Sequence, residues 1–168
     1  MKKYIMIFRG FGGIVFSSGM DQLSEKLKTK FPECTVNIDD YNNWKKYYDE
    51  LKKSPDQIVL LGHSFGALSC YKIVSKLKHK KIPLVISFDY SPYYSGIVAH
   101  IPDGVVPKNV TKAINFYQKC DLLVRGVKMR REDGSEKDVT NILTKYSHIE
   151  IDKADELHDI VIKAIKDL

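Results

Sequence analysis

Short apolar runs alternate along the chain with stretches whose apolar positions recur every three to four residues. Tyr4-Ile5-Met6-Ile7-Phe8 is continuously apolar, the pattern of a strand covered on both faces. Met20, Leu23, Leu27 and Phe31 then share one helical stripe, which Pro32 ends, and Ser18 with Asp21 resembles a capping box with a shortened acid. Residues 34–38 alternate and are rich in β-formers, so a strand is expected there, followed by Asp39 and Asp40. Trp44, Tyr47, Tyr48 and Leu51 mark an amphipathic helix over 42–53, closed by Ser54-Pro55-Asp56. Ile58-Val59-Leu60-Leu61 is a second fully apolar run. It leads through Gly62-His63-Ser64-Phe65-Gly66 into a helix carrying Leu68, Tyr71, Ile73, Val74 and Leu77. Strands are also expected at 83–88 and 112–118. A terminal helix carries Leu157, Ile160, Val161, Ala164, Ile165 and Leu168, with Asp152 as its cap. Such alternation predicts an α/β three-layer sandwich around a mostly parallel sheet, with residues 1–168 forming one domain.

Two segments resist this pattern. Residues 90–107 hold Tyr90, Pro92, Tyr93, Tyr94, Gly96, Pro102, Gly104 and Pro107 without a period. A loop that long is either functional, its aromatics lining a pocket, or an ordinary packed surface segment. The polar stretch around Arg130-Arg131-Glu132-Asp133-Gly134-Ser135 lies between apolar segments at 122–127 and 139–143. Asp133-Gly134 there is a hairpin-type turn signal, and an exposed excursion fits equally well.

Composition narrows the class without deciding it. Of the 168 residues, 43% are hydrophobic and 29% charged, which fits a globular chain and excludes disorder. The net charge of +6 is spread over short lysine-rich runs and comes with no nucleic-acid-binding motif, so a solvated surface is expected. Three cysteines, Cys34, Cys70 and Cys120, lack metal-ligand spacing, and their odd number speaks against a disulfide framework. No apolar run has the length of a signal segment or a membrane span. The expectation is a soluble cytoplasmic protein with no cofactor, no metal and no nucleic-acid partner; the oligomeric state is left open.

The chemistry centres on residues 62–66. A serine between two glycines, at the junction of a buried strand and an amphipathic helix, is the pattern of a nucleophile elbow. The strained turn leaves no space for a Cβ two residues before or after the serine, and the helix N-terminus faces the developing oxyanion. A serine hydroxyl needs a base, and five histidines are available. His63 cannot fold back onto its neighbour's hydroxyl and reads as a packing residue. His79 sits at a lysine-rich helix end, and His158 lies beside the terminal stripe. His148, just before the terminal helix, is the preferred base; His100, in the aromatic loop, is the alternative. Asp89, at the carboxyl end of the strand over 83–88, is the preferred acid and Asp121 the alternative, with Asp138 and Asp152 read as surface or cap residues. One oxyanion donor is expected at Phe65, the other at Phe11 or Gly12 in the glycine-rich loop after the first strand. Arg9 at the start of that loop is read as a structural ion-pair residue in preference to a substrate anchor.

Together, Gly62-His63-Ser64-Phe65-Gly66, Arg9-Gly10-Phe11-Gly12-Gly13, Phe88-Asp89-Tyr90-Ser91-Pro92 and His148 before the last helix resemble the α/β-hydrolase superfamily. The resemblance covers most of the chain, and only the elbow is specific. It implies a serine hydrolase, of esterase, lipase or thioesterase type, acting on a small-molecule acyl ester or thioester through an acyl-enzyme. Acyl transfer on the same scaffold and an inactive binding module are the competing readings. The sequence departs from the pattern at Arg9, where lipases often carry histidine, and the chain is expected to open at what would be the third strand of the full fold, without a cap.

Overall fold

The computed structural model describes residues 2–91, 104–119 and 126–168, together with the backbone of 93–94 and 97–98. In chain order the elements are β1 (Lys3–Arg9), α1 (Ser18–Lys30), β2 (Thr35–Asp40), α2 (Trp44–Lys53), β3 (Gln57–His63), α3 (Phe65–Lys76) and β4 (Ile82–Phe88). Then come β5 (Tyr93–Tyr94), β6 (Ile97–Val98), β7 (Val105–Val106), β8 (Val110–Tyr117), β9 (Arg130–Arg131), β10 (Val139–Leu143) and α4 (Asp155–Lys166). Six strands form the central sheet in the order β10-β8-β4-β3-β1-β2, every neighbouring pair parallel. This is the expected α/β architecture.

Period-two side-chain alternation explains why the central strands are apolar throughout. Tyr4, Met6 and Phe8 of β1 join Ile58 and Leu60 of β3 on the face covered by α2 and α3. Ile5 and Ile7 join Val59 and Leu61 on the opposite face, where α1 and α4 lay Met20, Leu23, Leu27, Leu157, Val161 and Ile165. Both faces are therefore dry, and each fully buried aliphatic side chain contributes roughly 1.5–3 kcal/mol of hydrophobic stabilisation.

The strand order places one feature for function. From β1 the chain moves outward to β2, then returns to the other side of β1 for β3 and continues in that direction. The order thus reverses between β1 and β3, and the loops leaving the carboxyl ends of those two strands diverge and open a crevice. Those loops carry Gly10–Gly13 and Ser64.

Several local expectations are corrected. Asp21 does not close a capping box: its carboxylate accepts from Arg9 Nε and Nη2 at 2.8 and 2.5 Å, and no side chain of α1's own N-terminus caps the helix. The cap comes from far along the chain, where Asp152 Oδ2 accepts from Met20 N–H at 3.2 Å. Asp152 is fully buried and serves α1, whereas α4 begins after Ala154 with no side-chain cap. The Asp133-Gly134 turn exists, with Gly134 at φ 81° and Arg131 N–H donating to Ser135 O at 2.7 Å across it, while residues 122–125 of the segment expected before it lie outside the described residues. β9 pairs in parallel with β7, and β10 joins β8 in the main sheet. Tyr90 leaves the aromatic loop for the core, edge-on to Tyr71 with ring centroids 5.5 Å apart. The side chains of Tyr93 and Tyr94 lie outside the described residues.

Candidate active site

β3 ends at His63 and α3 begins at Phe65, so the turn is the single residue Ser64, at φ 54° and ψ −120°. That conformation costs a non-glycine residue on the order of 1–3 kcal/mol and persists only when its surroundings enforce it. They do so by close approach. A Cβ on Gly62 would lie 2.4 Å from Ala67 N, and one on Gly66 would lie 2.1 Å from the carbonyl oxygen of Phe8. Ser64 N–H donates to Phe88 O at 2.9 Å, tying the turn to β4.

Asp89 leaves β4 immediately beyond that contact, also at positive φ (51°), a region that Asp tolerates better than most residues. Its carboxylate is fully buried and accepts from Gln118 N–H at 3.2 Å and Gln118 Nε2 at 2.8 Å. His148, in the loop between β10 and α4, donates from Nδ1 to Asp89 Oδ2 at 2.6 Å. With Nδ1 carrying the proton, Nε2 presents a lone pair, and Ser64 Oγ lies 3.1 Å from it. The imidazole edge remains 16% exposed beside an acid with no solvent access. A buried carboxylate with three donors fixes both the tautomer and the orientation of the ring, leaving a base aimed at a hydroxyl.

Ser64 opens into a groove of about 220 Å³ lined, among the described residues, by Phe11, Phe16, His63, Ser64, Phe65, His148 and Ile149. Phe11, Phe16 and Ile149 are 54%, 47% and 49% exposed, an apolar rim that water leaves poorly solvated. Phe65 opens α3, which directs its positive end at the serine, while Phe11 and Gly12 belong to the loop after β1. Gly10 supports that loop closely; a Cβ on it would lie 2.9 Å from Ser64 Cβ.

Arg9 is an ion-pair residue bridging Asp21 and Asp40, and the hydrogen bonds it donates to Asp21 raise its pKa further. His79 is exposed, and His158 donates from Nε2 to Asp152 O at 2.6 Å, far from a substrate role. The alternative base His100 and the alternative acid Asp121 lie outside the described residues. No group of His, Cys, Asp and Glu among the described residues could hold a metal ion. Gln118 and the His63–Ser17 pair described below were not legible in the sequence. For Gln118 the signal was a polar residue just beyond the end of the strand paired with β4.

Compared by sequence with family models and with curated proteins, the chain finds no match. Solved structures do match it. A metagenome-derived lipolytic enzyme superposes with TM-score 0.68 at 9% identity, covering 99% of this chain and 94% of that one. The chain has the α/β-hydrolase fold. An α/β serine hydrolase without lid from Xanthomonas campestris gives TM-score 0.57 at 12% identity, over 96% of this chain and 81% of that one. The type II thioesterase from the borrelidin biosynthetic cluster gives 0.58 at 11% identity, over 98% and 93%. Identities this low speak for the α/β-hydrolase fold alone; chemistry must come from the site.

Proposed function

We propose that the protein is a serine hydrolase that cleaves carboxylic esters or thioesters of an apolar acyl group through an acyl-enzyme. The observation that carries the reading is the run of short contacts from buried Asp89 through His148 Nδ1 and Nε2 to Ser64 Oγ, at 2.6 and 3.1 Å. In the first half-reaction His148 Nε2 takes the Ser64 proton as Oγ bonds to the acyl carbon. The carbonyl oxygen becomes an oxyanion facing the start of α3, where the Phe65 N–H is one donor and the Phe11 or Gly12 N–H the other. His148 then passes the proton to the departing alkoxide or thiolate, and the C–O or C–S bond breaks. In the second half-reaction a water gives its proton to Nε2 and its oxygen to the acyl carbon, and Ser64 leaves with the returned proton. The Asp89 carboxylate, hydrogen-bonded to Nδ1, stabilises the imidazolium formed in each half.

The apolar groove favours an acyl group over a charged substrate, because four of its seven lining side chains are Phe or Ile. The lipolytic and thioesterase neighbours fit that preference. Hydrolysis of p-nitrophenyl butyrate and of a butyryl thioester tests the reading. Ser64→Ala and His148→Ala should each lower kcat by about 10²–10⁴-fold. Activity in Ser64→Ala equal to that of the unmodified protein would refute it.

A further inference from the structure

His63, inside the elbow, has a second set of contacts that the reaction just described does not use. It is 1% exposed, yet both ring nitrogens are bonded. Nε2 lies 2.8 Å from the backbone oxygen of His148, and Nδ1 lies 2.8 Å from Ser17 Oγ. Ser17 is itself fully buried and accepts from Gly10 N–H at 3.0 Å. The donor assignments follow from the chemistry of the atoms. A carbonyl only accepts, so His63 Nε2 carries the hydrogen; in a neutral ring Nδ1 is then bare, and Ser17 O–H must donate to it. Burial and the neighbouring His148 push the His63 pKa down to about 3, so the ring is neutral at neutral pH.

The geometry points to His63 and Ser17 as positioning residues that clamp the backbone of the base, His148, to the glycine loop that carries the oxyanion donor. The inference rests on the serine-hydrolase reading above and adds a function for two residues outside the reacting groups. From Gly10 N–H through Ser17 and His63 to His148 O, each hydrogen bond has one allowed direction, so the clamp has a single arrangement. It joins two loops 131 residues apart in sequence, from Ser17 to His148, whose separation sets the distance from base to oxyanion donor. The rings of His63 and His148 lie 4.8 Å apart between centroids. A neutral His63 beside His148 also adds no like charge when His148 becomes an imidazolium.

The two ends of the clamp separate by substitution, because Nε2 of histidine lies where a glutamine amide nitrogen would, and Nδ1 where an asparagine amide oxygen can. H63Q keeps a donor toward His148 O and loses the acceptor for Ser17; H63N does the reverse. The clamp predicts a kcat about tenfold lower in H63N than in H63Q, with KM within about twofold, since displacing a reacting group by an ångström costs on the order of 10²-fold. Equal kcat values in the two variants, or losses that track only their thermal stability, would overturn it. A readout independent of turnover is the ¹⁵N shift of the His63 ring in the unmodified protein. It should report the neutral Nε2–H tautomer from about pH 8 to about pH 5, and a mixed tautomer in Ser17→Ala. An Nδ1–H or protonated ring in the unmodified protein would also overturn the clamp, even where Ser64 is the nucleophile. If Ser64→Ala keeps full turnover while the tautomer is as stated, the reaction assignment fails and the contact is structural only.

Discussion

Replacing Gly126 by alanine should damage the site without replacing any of the three residues proposed to react. Gly126 lies against the Asp89 carboxylate, and an added Cβ would sit 1.9 Å from Oδ1 and 3.0 Å from Tyr117 Cβ. Ordinary contact begins at 3.4 Å, so the methyl and the oxygen must separate by about 1.5 Å. The carboxylate has little freedom to move. Gln118 holds both oxygens at 3.2 and 2.8 Å, and His148 holds Oδ2 at 2.6 Å. A shift of an ångström breaks at least one of these bonds and swings the imidazole away from Ser64, for which about a 10²-fold loss in kcat is expected. KM should change by less than about threefold, because the groove is untouched. The assay is ester turnover beside thermal unfolding, with Gly134→Ala as the control. Gly134 has φ +81° and open space around a Cβ, so alanine there strains the backbone but reaches nothing. If Gly126→Ala keeps kcat within twofold of the unmodified protein while folded, the argument that Asp89 is held in place from that side is wrong.

Three further outcomes follow from the buried groups. The folded state binds the His63 proton only near pH 3 while the unfolded chain binds it near 6.5, so stability falls as pH drops between those values. The full difference is on the order of 5 kcal/mol. Urea titrations should show a shallower acid dependence in H63Q, and parallel dependences would remove His63 as a cause. Asp152 behaves oppositely: burial raises its pKa from 3.8 to about 6, so it favours the fold below 3.8 and loses that contribution as pH rises through 6. Asp152→Asn keeps an oxygen for Met20 N–H, and it should gain stability relative to the unmodified protein at pH 8 and converge with it near pH 4. A deficit that grows as pH rises through 6 would contradict this and show that the cap needs the charge. Gly66→Ala forces a Cβ to 2.1 Å from the Phe8 carbonyl, backbone against backbone, and should cost about 3 kcal/mol or more in chemical denaturation. Unchanged stability would mean that α3 can back away from β1.

The architecture was legible because interior strands such as β1 and β3 are buried on both faces. Runs such as Tyr4–Phe8 and Ile58–Leu61 have no solvent side to mix polar residues into the pattern, and the helices between them show clean stripes. Ser64 could be picked out because its turn is local: glycines at 62 and 66 record a close approach that happens within a few residues. Asp89 and His148 were candidates by their place at strand ends, and a parallel sheet brings such ends together. What stayed hidden depends on contacts between residues far apart in sequence. Nothing near Asp152 signals that α1 lies above it, so its carboxylate read as a surface cap when it is a buried one serving Met20, more than a hundred residues earlier. Likewise His63 read as a packing residue, because its two partners, Ser17 and the carbonyl of His148, lie in loops on either side of the crevice. β10 was obscured by a turn signal that suggested a hairpin, although the strand pairs across the sheet with β8.

The claim that Ser64 is the nucleophile is tested most directly by covalent capture. A fluorophosphonate bearing a short alkyl chain, incubated with the protein and followed by peptide mass mapping, should add one phosphonyl group on Ser64. The reaction should be slowed by about 10²-fold or more in His148→Ala and absent in Ser64→Ala. Labelling that persists in Ser64→Ala, or an adduct mapped to another residue at the same rate, would contradict the account.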